Sequence, residues 1–255
     1  MIIEVNGLVT RIIPLPGADR LLCIYTFEKG MMTVMVKGTK SFMSHHAAGA
    51  ELFCYSHFIL YKRADRYWVR EAELLEHFFA IRESITRTAL ASYVCDVISE
   101  GATNQADIPF LRLALNTLFA IANETNLLPL IKASFEMRAV SILGFMPELH
   151  GCDICEKEQG DFMLYVMDGV IICDDCRAER EFLPPEEGEN RIVEILSPGS
   201  LSAMRYVVSC PLEKLFSFRL DEQDLHLFSK AAESYLTNHL ERGFKSLSFY
   251  HQVKD

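Results

Sequence analysis

Up to about residue 75 the apolar positions alternate with polar ones in short bursts and sustain no 3.6-residue period, which predicts β-strands. The expected strands are 2–13, 20–27, 31–38, 51–61 and 67–73. Pro14-Leu15-Pro16-Gly17-Ala18-Asp19 and Glu28-Lys29-Gly30 supply turn chemistry between the first three. Five short strands in such a span suit a small closed barrel of the OB type. From Ile81 the rhythm becomes helical. Ile81, Ile85, Leu90, Val94 and Val97 mark one face, which Gly101 is placed to end. Leu111, Leu115, Leu118 and Ile121 mark a second helix opened by Pro109, and Pro129 opens a third carrying Ile131, Phe135 and Ile142 and stopping at Gly144. After an acidic loop at 184–189, helices resume near Pro198. Leu225, Phe228, Ala232, Tyr235 and Leu236 form the last strong stripe, ending at Gly243.

Four cysteines interrupt the helical run as two pairs, Cys152-Asp153-Ile154-Cys155 and Cys173-Asp174-Asp175-Cys176, separated by seventeen residues. A two-residue gap lets both thiolates of a pair reach one ion at about 2.3 Å, and four such ligands complete the closed tetrahedral shell that Zn²⁺ prefers. The competing readings are unmetallated thiols or redox pairs; the doubled spacing favours a structural zinc with no position open for substrate. The intervening 162–167 and 170–172 read as two strands joined by Asp168-Gly169, a two-residue hairpin signal. Cys23, Cys54, Cys95 and Cys210 stand singly among apolar residues, as small buried hydrophobes do in a reducing compartment. The expected fold class is therefore α+β and multidomain. An OB-type β-barrel over 1–78 is followed by an α-helical domain over 79–255, with a four-cysteine zinc-binding insertion at about 150–180.

The formal net charge is −10, which argues against a chain that binds nucleic acid with its whole surface. Its distribution changes that picture. Residues 1–70 hold nine Lys/Arg against five Asp/Glu, and residues 71–255 sixteen against thirty, so a basic face is expected on the N-terminal part and a solvated acidic surface on the rest. No apolar run approaches the ~20 residues of a bilayer span. Met1-Ile2-Ile3-Glu4-Val5 has neither the basic nor the apolar region of a signal peptide, so a soluble, cytoplasmic protein is expected. There is no Walker-type loop, no GxSxG and no HExxH, and no carboxylate pair stands out, so no catalytic residue is assigned and the chain is not read as an enzyme. His45-His46 reads as a polar loop, and Asp107-Ile108-Pro109-Phe110 as a capped helix start.

The order of parts carries a resemblance. Gly7-Leu8-Val9, Ala18-Asp19-Arg20-Leu21-Leu22 with Tyr25-Thr26-Phe27, Lys29-Gly30 and Val34-Met35-Val36-Lys37-Gly38 precede Phe135-Glu136-Met137-Arg138, Leu143-Gly144-Phe145 and the cysteines. Together they resemble the RecO recombination-mediator family over essentially the whole chain. The resemblance implies non-catalytic DNA repair and recombination. It implies binding of single- and double-stranded DNA, annealing of complementary strands, and action with RecR to load RecA onto strands coated by single-strand-binding protein. It also implies association with the nucleoid.

Guided by that resemblance, Arg11, Arg20, Lys29, Lys37 and Lys40 are the candidate phosphate contacts, with Phe42, Tyr61 and Tyr67 as stacking platforms or, more commonly, core. Arg177 and Arg180 are the next candidates. The family's docking pocket for the C-terminal tail of single-strand-binding protein lies in the helical domain. An apolar cleft with a cation at its rim is needed there, and Ile131 and Phe135 beside Lys132 and Arg138 offer it, although Arg138 paired with a carboxylate such as Glu136 or Glu148 is the simpler reading. The alternative class is a zinc-stabilised protein-interaction adaptor whose OB domain docks a polypeptide.

Overall fold

The computed structural model describes residues 1–38, 48–181 and 191–254. The chain divides into two compact units, Met1–Asn123 with Phe244–Asp255, and Glu124–Gly243. Compactness thus places the first two helices and the last one with the barrel, whereas the sequence segments divide at 78/79.

In unit 1 the strands β1 (Ile2–Pro14), β2 (Arg20–Thr26), β3 (Gly30–Val36), β4 (Cys54–Arg63) and β5 (Arg66–His77) close a barrel in the order β1-β2-β3-β5-β4. All pairings are antiparallel except β3–β5, which is parallel through Val34↔Tyr67 and Met35↔Trp68. Period-2 alternation sends Val5, Val9, Leu22, Ile24, Val34, Val36, Phe58, Leu60 and Val69 into one interior cluster. The inward set on β1 changes from odd to even positions past Val9, where Ile12 takes over, because the register shifts between Val9 and Arg11. Thr10, at that bulge, is buried and receives a hydrogen bond from Ser99 Oγ at 3.2 Å.

Ser99 lies on α1 (Ile85–Gly101). Ile81, expected on this helix, sits instead in a short 3-10 turn, and Ser84 caps α1 by accepting from the Arg87 amide. The start of α2 (Ile108–Asn123) is fixed by Asp107, whose carboxylate accepts from the Phe110 amide at 3.0 Å. The Met31 amide donates to the Thr103 carbonyl between these helices. Neighbouring Gly30 has φ +66, and a Cβ there would lie 2.4 Å from the Gln105 carbonyl oxygen, so only glycine fits.

Unit 2 contains α3 (Leu128–Ile142), α5 (Pro198–Ser209) and α6 (Glu222–His239). Its four-stranded sheet runs in the order β6-β8-β7-β9, from β6 (Glu148–Cys152), β7 (Phe162–Tyr165), β8 (Val170–Cys173) and β9 (Val193–Leu196), while α4 (Asp174–Glu181) follows β8 directly. The expected hairpin is present as the antiparallel β7–β8 pair, flanked in the sheet by β6 and β9. Its two-residue turn is corrected. The β7–β8 connection is a four-residue loop, 166–169, because pairing ends at Tyr165↔Val170 and buried Val166 bonds elsewhere: its amide donates to Ile192 and its carbonyl meets His239 Nε2. Phe162, Leu164 and Leu196 are fully buried. The last helix, α7 (Lys245–Val253), returns to unit 1, where Ser246 Oγ donates to Asp96 and Phe244 meets Tyr93 edge-on. Among the described residues no helix is long and apolar enough to cross a membrane.

Candidate metal centre and nucleic-acid interface

Strand pairing brings the two cysteine pairs together. Cys152 ends β6 and Cys173 ends β8, and these strands run parallel with Cys152 against Ile171. The chain then turns back on itself: the Glu156 amide donates to the Cys152 carbonyl and the Cys152 amide to the Lys157 carbonyl, both at 2.8 Å. Glu156 adopts φ +60 in this turn. Gly151 allows the close approach, since a Cβ would stand 2.9 Å from the Glu156 carbonyl oxygen. Cys176 lies in the first turn of α4, and Asp175 beside it pairs with Lys157 at 2.9 Å, tying the second knuckle to the first. That carboxylate holds the Lys157 ammonium above its usual pKa.

The four Sγ atoms lie within 4.8 Å of one another, and none is in a disulfide. Cys155 and Cys173 are 3.7 Å apart. A tetrahedral shell with 2.3 Å metal–sulfur bonds requires edges of about 3.8 Å, so the arrangement fits one tetrathiolate-bound ion. Burial pushes the Cys152 thiol up, but the amides of Cys173, Cys155 and Ile154 outweigh it and bring the pKa down to about 6. Crowding does the opposite to Cys176, where the neighbouring Cys155 thiol leads in raising it. A cation in the centre relieves that crowding by favouring thiolates throughout. Outside the cluster, burial raises the Cys54 thiol to about 11 and also raises those of Cys95 and Cys23.

The four candidate phosphate contacts among the described residues do not converge on one site. Arg11 pairs with Asp96 of α1 at 2.9 Å, and Asp96 also accepts from Ser246, so Arg11 ties the barrel to its helices. Arg20 pairs with Glu51 at 2.9 Å. Exposed Lys29 stands at the β2–β3 turn, the far end of that hairpin from Arg20 and Lys37, since Thr26 pairs with Gly30 and Arg20 with Val36. Lys40 lies outside the described residues, as do Phe42, His45 and His46. Arg177 is partly buried at the second knuckle, and nothing is described of the Arg180 side chain.

What the structure does assemble is a rim of which sequence reading named only Lys37, Tyr61 and Tyr67. The parallel pairing of β3 with β5 sets the β4–β5 hairpin beside the end of β3, where Lys37 Nζ stands 5.9 Å from the Trp68 ring centroid. Lys62 Nζ is likewise 5.9 Å from the Tyr67 ring. Tyr61 faces Trp68 across the strands. Arg63 and Arg66 face each other across the turn and are exposed, as are Lys62 and Arg70. Like charges placed directly opposite are unfavourable, so the Arg63–Arg66 pair is better accommodated with an anion between them. The signal was in the sequence: residues 62–70 hold four cations and one acid around Tyr67 and the chain's single Trp.

The residues expected to form the tail pocket lie on α3. Ile131, Lys132 and Phe135 are at most 1% exposed, inside unit 2. Lys132 Nζ lies 2.8 Å from Glu136 Oε1 and 2.6 Å from Glu233 Oε2 of α6, and Arg138 donates to the Cys210 carbonyl. The third helix is buried along most of its length, polar residues included, so its Lys132 cation is an internal charge and not a rim. An open cavity of about 640 Å³ does exist in this unit at the start of α3, lined by Leu127, Leu128, Leu130, Leu220 and Arg219 among others.

The family models described as Recombination protein O N terminal and Recombination protein O C terminal match residues 1–78 and 82–248. The chain is 30% identical over 250 residues to DNA repair protein RecO of Acetivibrio thermocellus, covering 97% of this chain and 95% of that one. It is 26% identical to DNA repair protein RecO of Desulforamulus reducens, covering 97% and 93%. For that of Bacillus pumilus the figures are 24% identity with 100% and 95% coverage.

Proposed function

The chain belongs to the RecO family of DNA repair proteins, and from that membership we propose that it is a recombination mediator that acts by binding and not by catalysis. The observation that carries the reading is the end of the β4–β5 hairpin, where Lys37 stands over Trp68, Lys62 over Tyr67, and exposed Arg63 and Arg66 face each other. The barrel is of the OB type, consistent with its strand order and the parallel β3–β5 closure, and such barrels combine a basic groove with stacking platforms for single strands. Phosphates are held by the cations and base faces by the rings, so binding is without sequence preference. Holding two strands by their backbones softens their repulsion and raises their local concentration, which is the physical basis of annealing. The ion on Cys152, Cys155, Cys173 and Cys176 is Zn²⁺ and supplies a closed structural cross-link. RecR, RecA and single-strand-binding protein are the implied partners, in the cytoplasm at the nucleoid. The tail of the last is accommodated by the cavity at the start of α3, where leucines adjoin Arg219.

Trp68 is the chain's only tryptophan, so its fluorescence reports directly on the rim. Titration with an unlabelled single-stranded oligonucleotide is expected to quench it, with an affinity that falls steeply with salt. Replacing Lys62, Arg63 and Arg66 by Ala removes three phosphate contacts. At ~0.7 released counterions per single-strand phosphate, the slope of log K against log salt is expected to flatten by about 2. An unchanged slope in the triple variant excludes this rim as the interface.

A further inference from the structure

We propose that Arg205, on α5, is the positioning residue of the metal centre: it clasps both ends of the first knuckle and holds that loop in its ligating form. The inference rests on the metal reading of the four cysteines. Arg205 Nε donates to the Leu149 carbonyl and Nη2 to that of His150, both at 2.6 Å, and Nη2 also reaches the Glu158 carbonyl at 3.2 Å. Leu149 and His150 lead into Cys152, and Glu158 follows Cys155 by three residues. One planar guanidinium therefore joins the strand entering the knuckle to the loop segment leaving it.

The backbone needs such a partner here. Pairing between β6 and β8 is interrupted between Glu148 and Cys152, and two of the three carbonyls that accept from Arg205, those of Leu149 and His150, fall within that gap. Closing a loop around an ion requires ordering its backbone, and a clasp built from outside the loop meets that requirement before the ion arrives. Five donors in a fixed fork suit three converging carbonyls; a lysine ammonium cannot reproduce that geometry, although it keeps the charge. The metal is thereby linked to a helix that contributes none of its ligands. Groups one shell out from a metal typically change its affinity by 10–100-fold when removed.

The test is chelator competition on full-length, zinc-loaded protein, comparing wild type with Arg205→Ala, Arg205→Lys and Arg205→Gln. Arg205→Ala is expected to release zinc at a tenfold or lower chelator concentration, with Arg205→Lys intermediate. The Co²⁺-substituted proteins are expected to keep the charge-transfer bands of a tetrathiolate site, because no ligand has been lost. If Arg205→Ala does not fold, the Lys and Gln variants give the same reading. Zinc retention within twofold of wild type in the folded variants overturns the inference, as does an equal drop in thermal midpoint for metal-loaded and metal-stripped protein with unchanged zinc retention. A wild type that takes up no stoichiometric metal overturns the metal reading itself, which distinguishes that failure from failure of the clasp.

Discussion

Stripping the metal, or replacing Cys173 by Ser, is expected to release the knuckles of unit 2 while the barrel of unit 1 stays folded. Strands of four or five residues offer little apolar area of their own, and β6 meets β8 at only two register positions, Glu148↔Val170 and Cys152↔Ile171. Structural zinc in small domains contributes about 10–16 kcal/mol, which matches or exceeds the ~5–15 kcal/mol net stability of a whole domain. Nothing in the local packing replaces that. Phe162, Leu164 and Leu196 are fully buried, so the β7–β9 pair is expected to survive in part. In amide hydrogen exchange, peptides from 148–158 and 170–177 lose protection on chelation and those from 1–78 do not. Unchanged protection after complete removal of the metal contradicts this, and so does elemental analysis that finds no stoichiometric metal in gently purified protein.

The second large effect belongs to Lys132. Its ammonium is 1% exposed, between Glu136, which is fully buried, and Glu233, which is 29% exposed. Removing one partner of a buried ionic cluster leaves the other uncompensated and destabilises by roughly 3–5 kcal/mol, even where the intact cluster itself adds little net stability. Lys132→Met is therefore expected to lower the denaturant midpoint of unit 2 sharply. Adding Glu136→Leu removes the stranded carboxylate and is expected to recover most of the loss, while partly exposed Glu233 finds water. A loss below about 1 kcal/mol for the single variant, or no recovery in the double, contradicts the assignment.

The barrel was legible because its strands are long enough for alternation to repeat: the expected 2–13 and 20–27 differ from the observed Ile2–Pro14 and Arg20–Thr26 by one residue each. The cysteine cluster was legible because knuckle spacing is a local constraint. Shorter elements were not. β9 is Val-Glu-Ile-Leu and β6 is half polar, so no period can be counted, and both owe their existence to neighbours distant in sequence. On α7 only Leu247 and Tyr250 are buried, too few to mark a stripe. Lys132 misled for a related reason: a cation among apolar residues reads as a rim until Glu136, one turn on, and Glu233, a hundred residues away, are seen to close around it. Arg11 was a fair surface charge whose partner, Asp96, sits on a helix that sequence alone does not place. The rim at 62–70 shows the converse. Its composition was plain, but only the β3–β5 pairing makes it one surface with Lys37.

Strand annealing over a salt series tests the mediator reading most directly, with two complementary single strands and the full-length wild-type protein. Substoichiometric to stoichiometric protein is predicted to accelerate duplex formation at low salt. The acceleration is predicted to fade as salt rises and to fall in the Lys62, Arg63 and Arg66 triple variant. Annealing no faster than the uncatalysed rate at every salt concentration, together with no salt-dependent affinity for DNA, contradicts the mediator reading. The acidic net charge of −10 would then favour a zinc-stabilised adaptor that docks a polypeptide.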